Sequence, residues 1–297
     1  LIRDYFKKGE AEEMKKFSIA GFINAVFLGV IALTMLLPFL NVVAVSLSGQ
    51  AAINSNAVTF WPVDFTLENY KQVFANKLLV RSVWVSIVVT ILGTLCNMTL
   101  TVLLAYAISR KEFMFKKSVT LFILFTFVFP APMIPSYLLV QKLHMLETIW
   151  ALIIPGAIST FNLLVLRSFF EQLPESVLES ARMDGAGEWR TLKDIVLPMS
   201  KASLATVGLF YGVTNWNAYM PAMLYINRNT KLYPLQIKLR DMLLQSSVEG
   251  SADQLIHLSA YGMKMTIIIV AAIPVLIAYP FVQGYFVKGV TLGSVKE

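Results

Sequence analysis

Six stretches of this sequence contain no Asp, Glu, Lys, Arg or His: about 19–47, 83–108, 118–140, 149–166, 202–226 and 265–287. A helical crossing of a bilayer takes about 20 apolar residues, and most of these runs meet or exceed that length. Within lipid, backbone polar groups must be satisfied inside the chain, which for such runs means helices. The prediction is an all-α integral membrane protein with six transmembrane helices. Composition agrees: 57% of the 297 residues are hydrophobic and 14% charged, against about a quarter charged in soluble domains.

The first run, 19–47, is too long for a signal-peptide core of about 7–15 residues, so it reads as an uncleaved span with Pro38 as a kink. Leu1 stands where a translated chain would carry Met, which predicts that a few residues precede it. Pro130, Pro132 and Pro135 crowd one end of the third run, and Pro155-Gly156 interrupts the fourth. Proline inside a span frees carbonyls, so both runs are expected to bend or break. The three prolines shape a gate or a packing kink.

The loop charges orient the chain. Lys and Arg number 16 in 1–18, 109–117, 167–201 and the tail after 287, against 9 in 48–82, 141–148 and 227–264. By the positive-inside rule the first set faces the cytoplasm, with both termini. The expected organisation is a cytoplasmic tail 1–18, a first span 19–47, an extracytoplasmic connection 48–82, a five-helix core 83–287 and a cytoplasmic tail 288–297. The net charge of +7 is thereby explained by topology, and nucleic acid is not an expected partner.

One cytoplasmic loop, 167–201, is too patterned to be a mere connection. Within it, Pro174 suits a first helical turn, and Val177, Leu178 and Ala181 recur at helical spacing beside Glu175, Glu179 and Arg182. Gly185-Ala186-Gly187 ends that helix. A second one carries Trp189, Leu192, Ile195 and Val196 on one face and stops near Pro198. This helix–glycine turn–helix presents apolar and acidic groups outward as a docking surface. A helix lying on lipid would carry a strongly basic polar face; here acidic and basic groups alternate.

Several chemistries are missing from the sequence. No GxxxxGK[ST] phosphate loop occurs, and no HExxH or GxSxG. The single cysteine, Cys96, permits no disulfide framework, and His144 and His257 read as ordinary loop residues. An ion-coupled secondary transporter generally keeps ionisable groups in the membrane, although sodium can be held by carbonyls and hydroxyls alone. A membrane enzyme or anchor subunit lacks its His, Cys or carboxylate cluster. The chain therefore crosses the membrane without an energy source of its own.

At this point a family resemblance enters. Glu179-Ser180-Ala181, Gly185, Ile195, Leu197 and Pro198 match the motif EAA-x3-G-x9-I-x-LP, with Ser180 for the second alanine as the one departure. The motif is that of permease subunits of ATP-binding-cassette (ABC) importers. Phe169-Phe170, Leu173-Pro174, Asp184-Gly185-Ala186, Trp216-Asn217 and the ending Tyr285 to Gly293 are similar to the carbohydrate class, with a MalG-like (type I) permease fold. Within it the chain resembles permeases for complex oligosaccharides, LplC-like and alginate-type. The resemblance implies a coupling helix at Glu179, Ser180, Ala181, Asp184, Gly185, Ile195, Leu197 and Pro198. It also implies a groove on a cytoplasmic ATPase that receives Val177, Leu178 and Ala181, with Glu179 facing a basic residue. The implied partners are a second, homologous permease forming a heterodimer, two ABC ATPase subunits that hold ATP and Mg, and an extracytoplasmic solute-binding protein. The loop 227–262 would reach toward that binding protein, and Thr291 to Lys296 would contact the ATPase pair or fray. The chain itself would bind no cofactor or metal and catalyse nothing. The setting is a bacterial or archaeal cytoplasmic membrane.

The fifth run is unusually polar and aromatic, with Tyr211, Thr214, Asn215, Trp216, Asn217 and Tyr219. Aromatic faces with amides and hydroxyls suit a carbohydrate pathway. The same groups also serve as glue between helices or as an interfacial belt.

Overall fold

The computed structural model describes residues 19–248 and 261–280. Among them the chain is helical and forms no strand. The helices are α1 Ile19–Ser46, α2 Gln50–Asn54, α3 Glu68–Ala75, α4 Lys77–Ser109, α5 Lys116–Val128 and α6 Met133–Lys142. There follow α7 Trp150–Gly156, α8 Thr160–Glu171, α9 Glu175–Met183, α10 Glu188–Met199, α11 Lys201–Asn217, α12 Met220–Tyr225, α13 Leu235–Val248 and α14 Tyr261–Pro280. The tails, 249–260, and the motif ending at Gly293 lie outside the described residues.

Three helices, α1, α4 and α14, are long and apolar enough to cross a membrane unaided. Three more crossings result if bent pairs count as single spans: α5 with α6 at 117°, α7 with α8 at 56°, and α10 with α11 at 85°. Six is thus reached only through broken helices. Pro130 and Pro132 fall in the first break, and Pro132 caps α6. Pro135 lies in the first turn of α6, where a missing N–H costs nothing, so it begins a helix rather than bending one. At the second break, Pro155 sits in a tight turn, and Ser159 Oγ then restarts the chain by accepting from Asn162 N at 3.4 Å. Helix α1 runs unbroken through Pro38.

Two boundaries differ from expectation. Helix α4 begins at Lys77, because Asn76 Oδ1 accepts from Leu78 N (3.0 Å) and Leu79 N (3.3 Å) and so caps it earlier than hydropathy indicates. The stretch 227–262 is not a plain loop, since α13 occupies much of it. Ile237 is buried with Val85, Val89 and Ile226, and Leu235, also buried, donates its N–H to Ser86 Oγ at 2.8 Å.

The chain divides into two compact units, residues 1–70 with 253–269 and residues 71–252 with 270–297. In the first, Ala44, Val45, Ala52, Ile53 and Val58 form a small core with Met265. Asn69 Nδ2 there donates to the carbonyls of Ser46 and Ser48 at 3.3 and 3.2 Å. Much of α1 is exposed on all sides, as suits a helix whose solvent is lipid or another subunit. In the second unit α4 packs along α8 and α11. The approach to α11 is close at Gly93, where an added Cβ would stand 2.8 Å from Asn215 Nδ2. Small residues at such seams let membrane helices come together.

Candidate coupling surface and membrane pathway

Helix α9 is built as a short rigid element. Glu175 lies in its first turn, where a carboxylate opposes the positive end of the helix. Its C-terminus closes with Gly185 N donating to Arg182 O (3.0 Å) and Ala186 N to Ala181 O (2.9 Å), a Schellman pair that satisfies two end carbonyls. The pair requires Gly185 at φ +75°, a left-handed angle that glycine adopts without strain.

What the two helices bury differs from the sequence expectation. Leu178 and Ala181, expected to pack into a partner, are 8% and 6% exposed. Leu178 joins a core with Ile108 of α4, Ile123 of α5, Leu166 and Phe170 of α8, and Val207 of α11. Leu192 and Val196 of α10 enter the same core, with Ile195 and Leu197 partly buried against it. The reason is that a two-turn helix cannot bury its apolar stripe outward and still stay attached. Trp189 leaves the face expected for it and is 69% exposed. The outward surface is therefore Val177, Glu179, Ser180, Met183, Asp184 and Trp189. Glu179 makes no hydrogen bond or ion pair with any described residue. Before Pro198 the helix widens into a π turn over Leu192–Val196, which accommodates a residue with no N–H to give.

A second layer ties this surface to the loop after α4, and sequence patterning gave no hint of it. Arg182 pairs with Glu112 and, at 3.7 Å, with Glu188; Lys111 pairs with Glu175. The Arg182 hydrogen bond holds the Glu112 carboxyl down to about 2, and Glu112 in return raises Arg182. The Tyr106 hydroxyl donates to the Glu188 carboxylate, and the Arg110 guanidinium lies 4.8 Å from the centroid of the Tyr106 ring. Arg182 and Glu112, Lys111 and Glu175, and Tyr106 and Glu188 are 60 or more positions apart in sequence, so only the fold brings them together.

The fifth-run candidates divide. Tyr211, Thr214 and Asn215 line a cavity of about 600 Å³ with Asn97, Ser159 and Asn162. Tyr211 is a fixed wall: its hydroxyl lies 2.6 Å from Thr101 Oγ1 and accepts Ser159 N–H at 3.0 Å. Asn215 Nδ2 reaches Thr94 Oγ1 at 3.4 Å. Trp216 lies outside this cavity, buried, with its indole N–H donating to Ala271 O at 2.9 Å. Asn217 and Tyr219 also lie outside it, on the approach to α13: Gln236 Nε2 donates to Asn217 Oδ1 at 3.3 Å, and Arg240 sits 5.9 Å from the Tyr219 ring. Asn97, Ser159 and Asn162 were missed because single amides and hydroxyls in apolar runs carry no pattern.

On the opposite end of the second unit, Glu147 accepts the backbone N–H groups of Asn227 (2.7 Å), Arg228 (3.0 Å) and Asn229 (2.9 Å). Those bonds, led by Asn229, hold its carboxyl below the usual range. Among the described residues no three His, Cys, Asp or Glu side chains gather as a metal site.

A helical membrane chain with broken crossings and a small helical surface on its core has the form of a transporter permease. The chain belongs to the family described as the binding-protein-dependent transport system inner membrane component, whose model matches residues 97–292. It is 40% identical over 274 residues to the polygalacturonan/rhamnogalacturonan transport system permease protein YtcP of Bacillus subtilis (strain 168), covering 91% of this chain and 96% of that one. To protein LplC of the same organism it is 38% identical, covering 92% and 93%. A crystal structure of a bacterial ABC transporter involved in the import of the acidic polysaccharide alginate contains a chain with TM-score 0.84 and 32% identity, covering 92% of this chain and 99% of that one. The ABC permease role stands, and the ion-coupled alternative does not.

Proposed function

We propose that this chain is the permease subunit that carries an oligosaccharide into the cytoplasm, driven by ATP hydrolysis on partner subunits. The observation that carries the reading is the shared core of Leu178, Leu192 and Val196 with Ile108, Phe170 and Val207. A displacement applied to α9 and α10 is thereby delivered to α4, α8 and α11. Carbohydrate as substrate rests on relatives whose names state transport of polygalacturonan and rhamnogalacturonan and arabinooligosaccharides.

In this reading two ABC ATPases hold ATP and Mg, and one of them receives Glu179 and its outward neighbours. A second permease completes the pathway, with Tyr211, Thr214 and Asn215 facing it, and a solute-binding protein delivers the sugar from outside. Both termini face the cytoplasm, as loop charge demands. This chain binds no cofactor of its own.

Purification from the native membrane tests the assembly. An ATPase and a second six-span chain are expected to accompany this protein, and Glu179→Ala should release the ATPase. A chain that purifies alone and transports in nucleotide-free vesicles overturns the reading.

A further inference from the structure

Two nearly buried amides face the membrane cavity without a partner among the described residues. Asn97 on α4 is 3% exposed and Asn162 on α8 is 5% exposed. Both line the cavity, neither side chain hydrogen-bonds to another described residue, and Asn97 Oδ1 is buried with no partner among them. Buried polar groups are ordinarily satisfied, so the orphaned Asn97 Oδ1, with the Asn162 amide on the same cavity, calls for a ligand or solvent to complete it. The Tyr211 hydroxyl on the same cavity is already committed, which leaves the amides as its free polar groups of deepest burial. Phe161 and Phe210 flank it with ring centroids 6.3 Å apart. Among the described residues, no ionisable side chain other than the Tyr211 and Tyr279 phenols lines it.

We propose that Asn97 and Asn162 form a hydroxyl-reading subsite within the membrane for the uncharged ring of a sugar. The inference rests on the carbohydrate reading above and adds to it two positions and a chemical group. A carboxamide both donates and accepts, as a hydroxyl does, so the two match in either amide orientation. A carboxylate only accepts, and here it would lose its water with no cation in compensation. The phenyl rings offer apolar faces to the C–H side of a pyranose.

The test uses the complete transporter in proteoliposomes, supplied with ATP and with binding protein loaded from a panel of neutral and uronic-acid tetrasaccharides. Asn97→Leu and Asn162→Leu keep the side-chain volume and remove donor and acceptor together. Sugar imported per ATP should fall about fivefold in each variant, the loss of one neutral hydrogen bond. The melting temperature should hold or rise, since no partner among the described residues is abandoned. Asn162→Ser, which returns a hydroxyl, should recover part of the loss. Unchanged sugar per ATP in both Leu variants overturns the subsite. So does a lowered melting temperature with failed assembly in the Leu and Ser variants alike, which would make the amides structural. If the wild type imports no member of the panel with ATP, the carbohydrate reading itself falls.

Discussion

At the scale of residues, neighbouring positions on α9 have separate tasks. Leu178 is in the core, and Leu178→Ala should destabilise the protein by about 2–5 kcal/mol, read as a lower melting temperature. Val177 faces outward, so Val177→Ala should leave melting unchanged and weaken ATPase capture. Gly185 is different again: valine at φ +75° strains the turn by about 1–2 kcal/mol or more. Gly185→Val should assemble with the ATPase yet import less sugar per ATP, because the turn no longer fixes α9 against α10. Wild-type coupling in that variant would show that the turn does not transmit motion between α9 and α10. For the exposed Arg182–Glu112 pair the expected loss in Glu112→Gln is small, about 0–1 kcal/mol. The sign follows from the depressed carboxyl: the pair contributes fully above its ordinary 4.5 and is lost as pH falls through about 2. Swapping the charges between positions 112 and 182 should restore what either single change loses.

At the scale of elements, ends and breaks matter more than interiors. The turn at Asn227 to Asn229 is held by one carboxylate, so Glu147→Gln should speed amide hydrogen exchange at those three residues. Since Glu147 is held below the usual carboxylate range, acidification should produce the same loosening in the wild type as that carboxyl becomes protonated. The α4–α11 seam tolerates no side chain at Gly93 where Asn215 approaches. Gly93→Val should separate the two helices and lower the melting temperature, with Asn215→Ala as the change that partly relieves it.

At the scale of the molecule, the α9–α10 pair and the cavity belong to one packed unit. Tyr211 belongs to the core that contains Leu178 and also walls the cavity. A shift of α9 therefore has a packed route to the cavity wall, through Ile108, Phe170 and Val207. Close packing transmits such displacements because the core has no slack to absorb them.

The sequence by itself determined the membrane class, the approximate crossings, the glycine-broken helical loop and the family, because hydropathy, glycine and proline act locally and leave periodic or fixed-spacing marks. It also marked Tyr211 and Asn215 by their concentration in one run. Tertiary structure decided which way Leu178 and Trp189 face, that α10 meets α11 at 85°, and that Arg182 meets Glu112. It alone brought Asn97 and Asn162 to one cavity and placed Trp216 outside it. Those outcomes depend on residues far apart in the chain competing for the same buried space, and no local pattern records who wins.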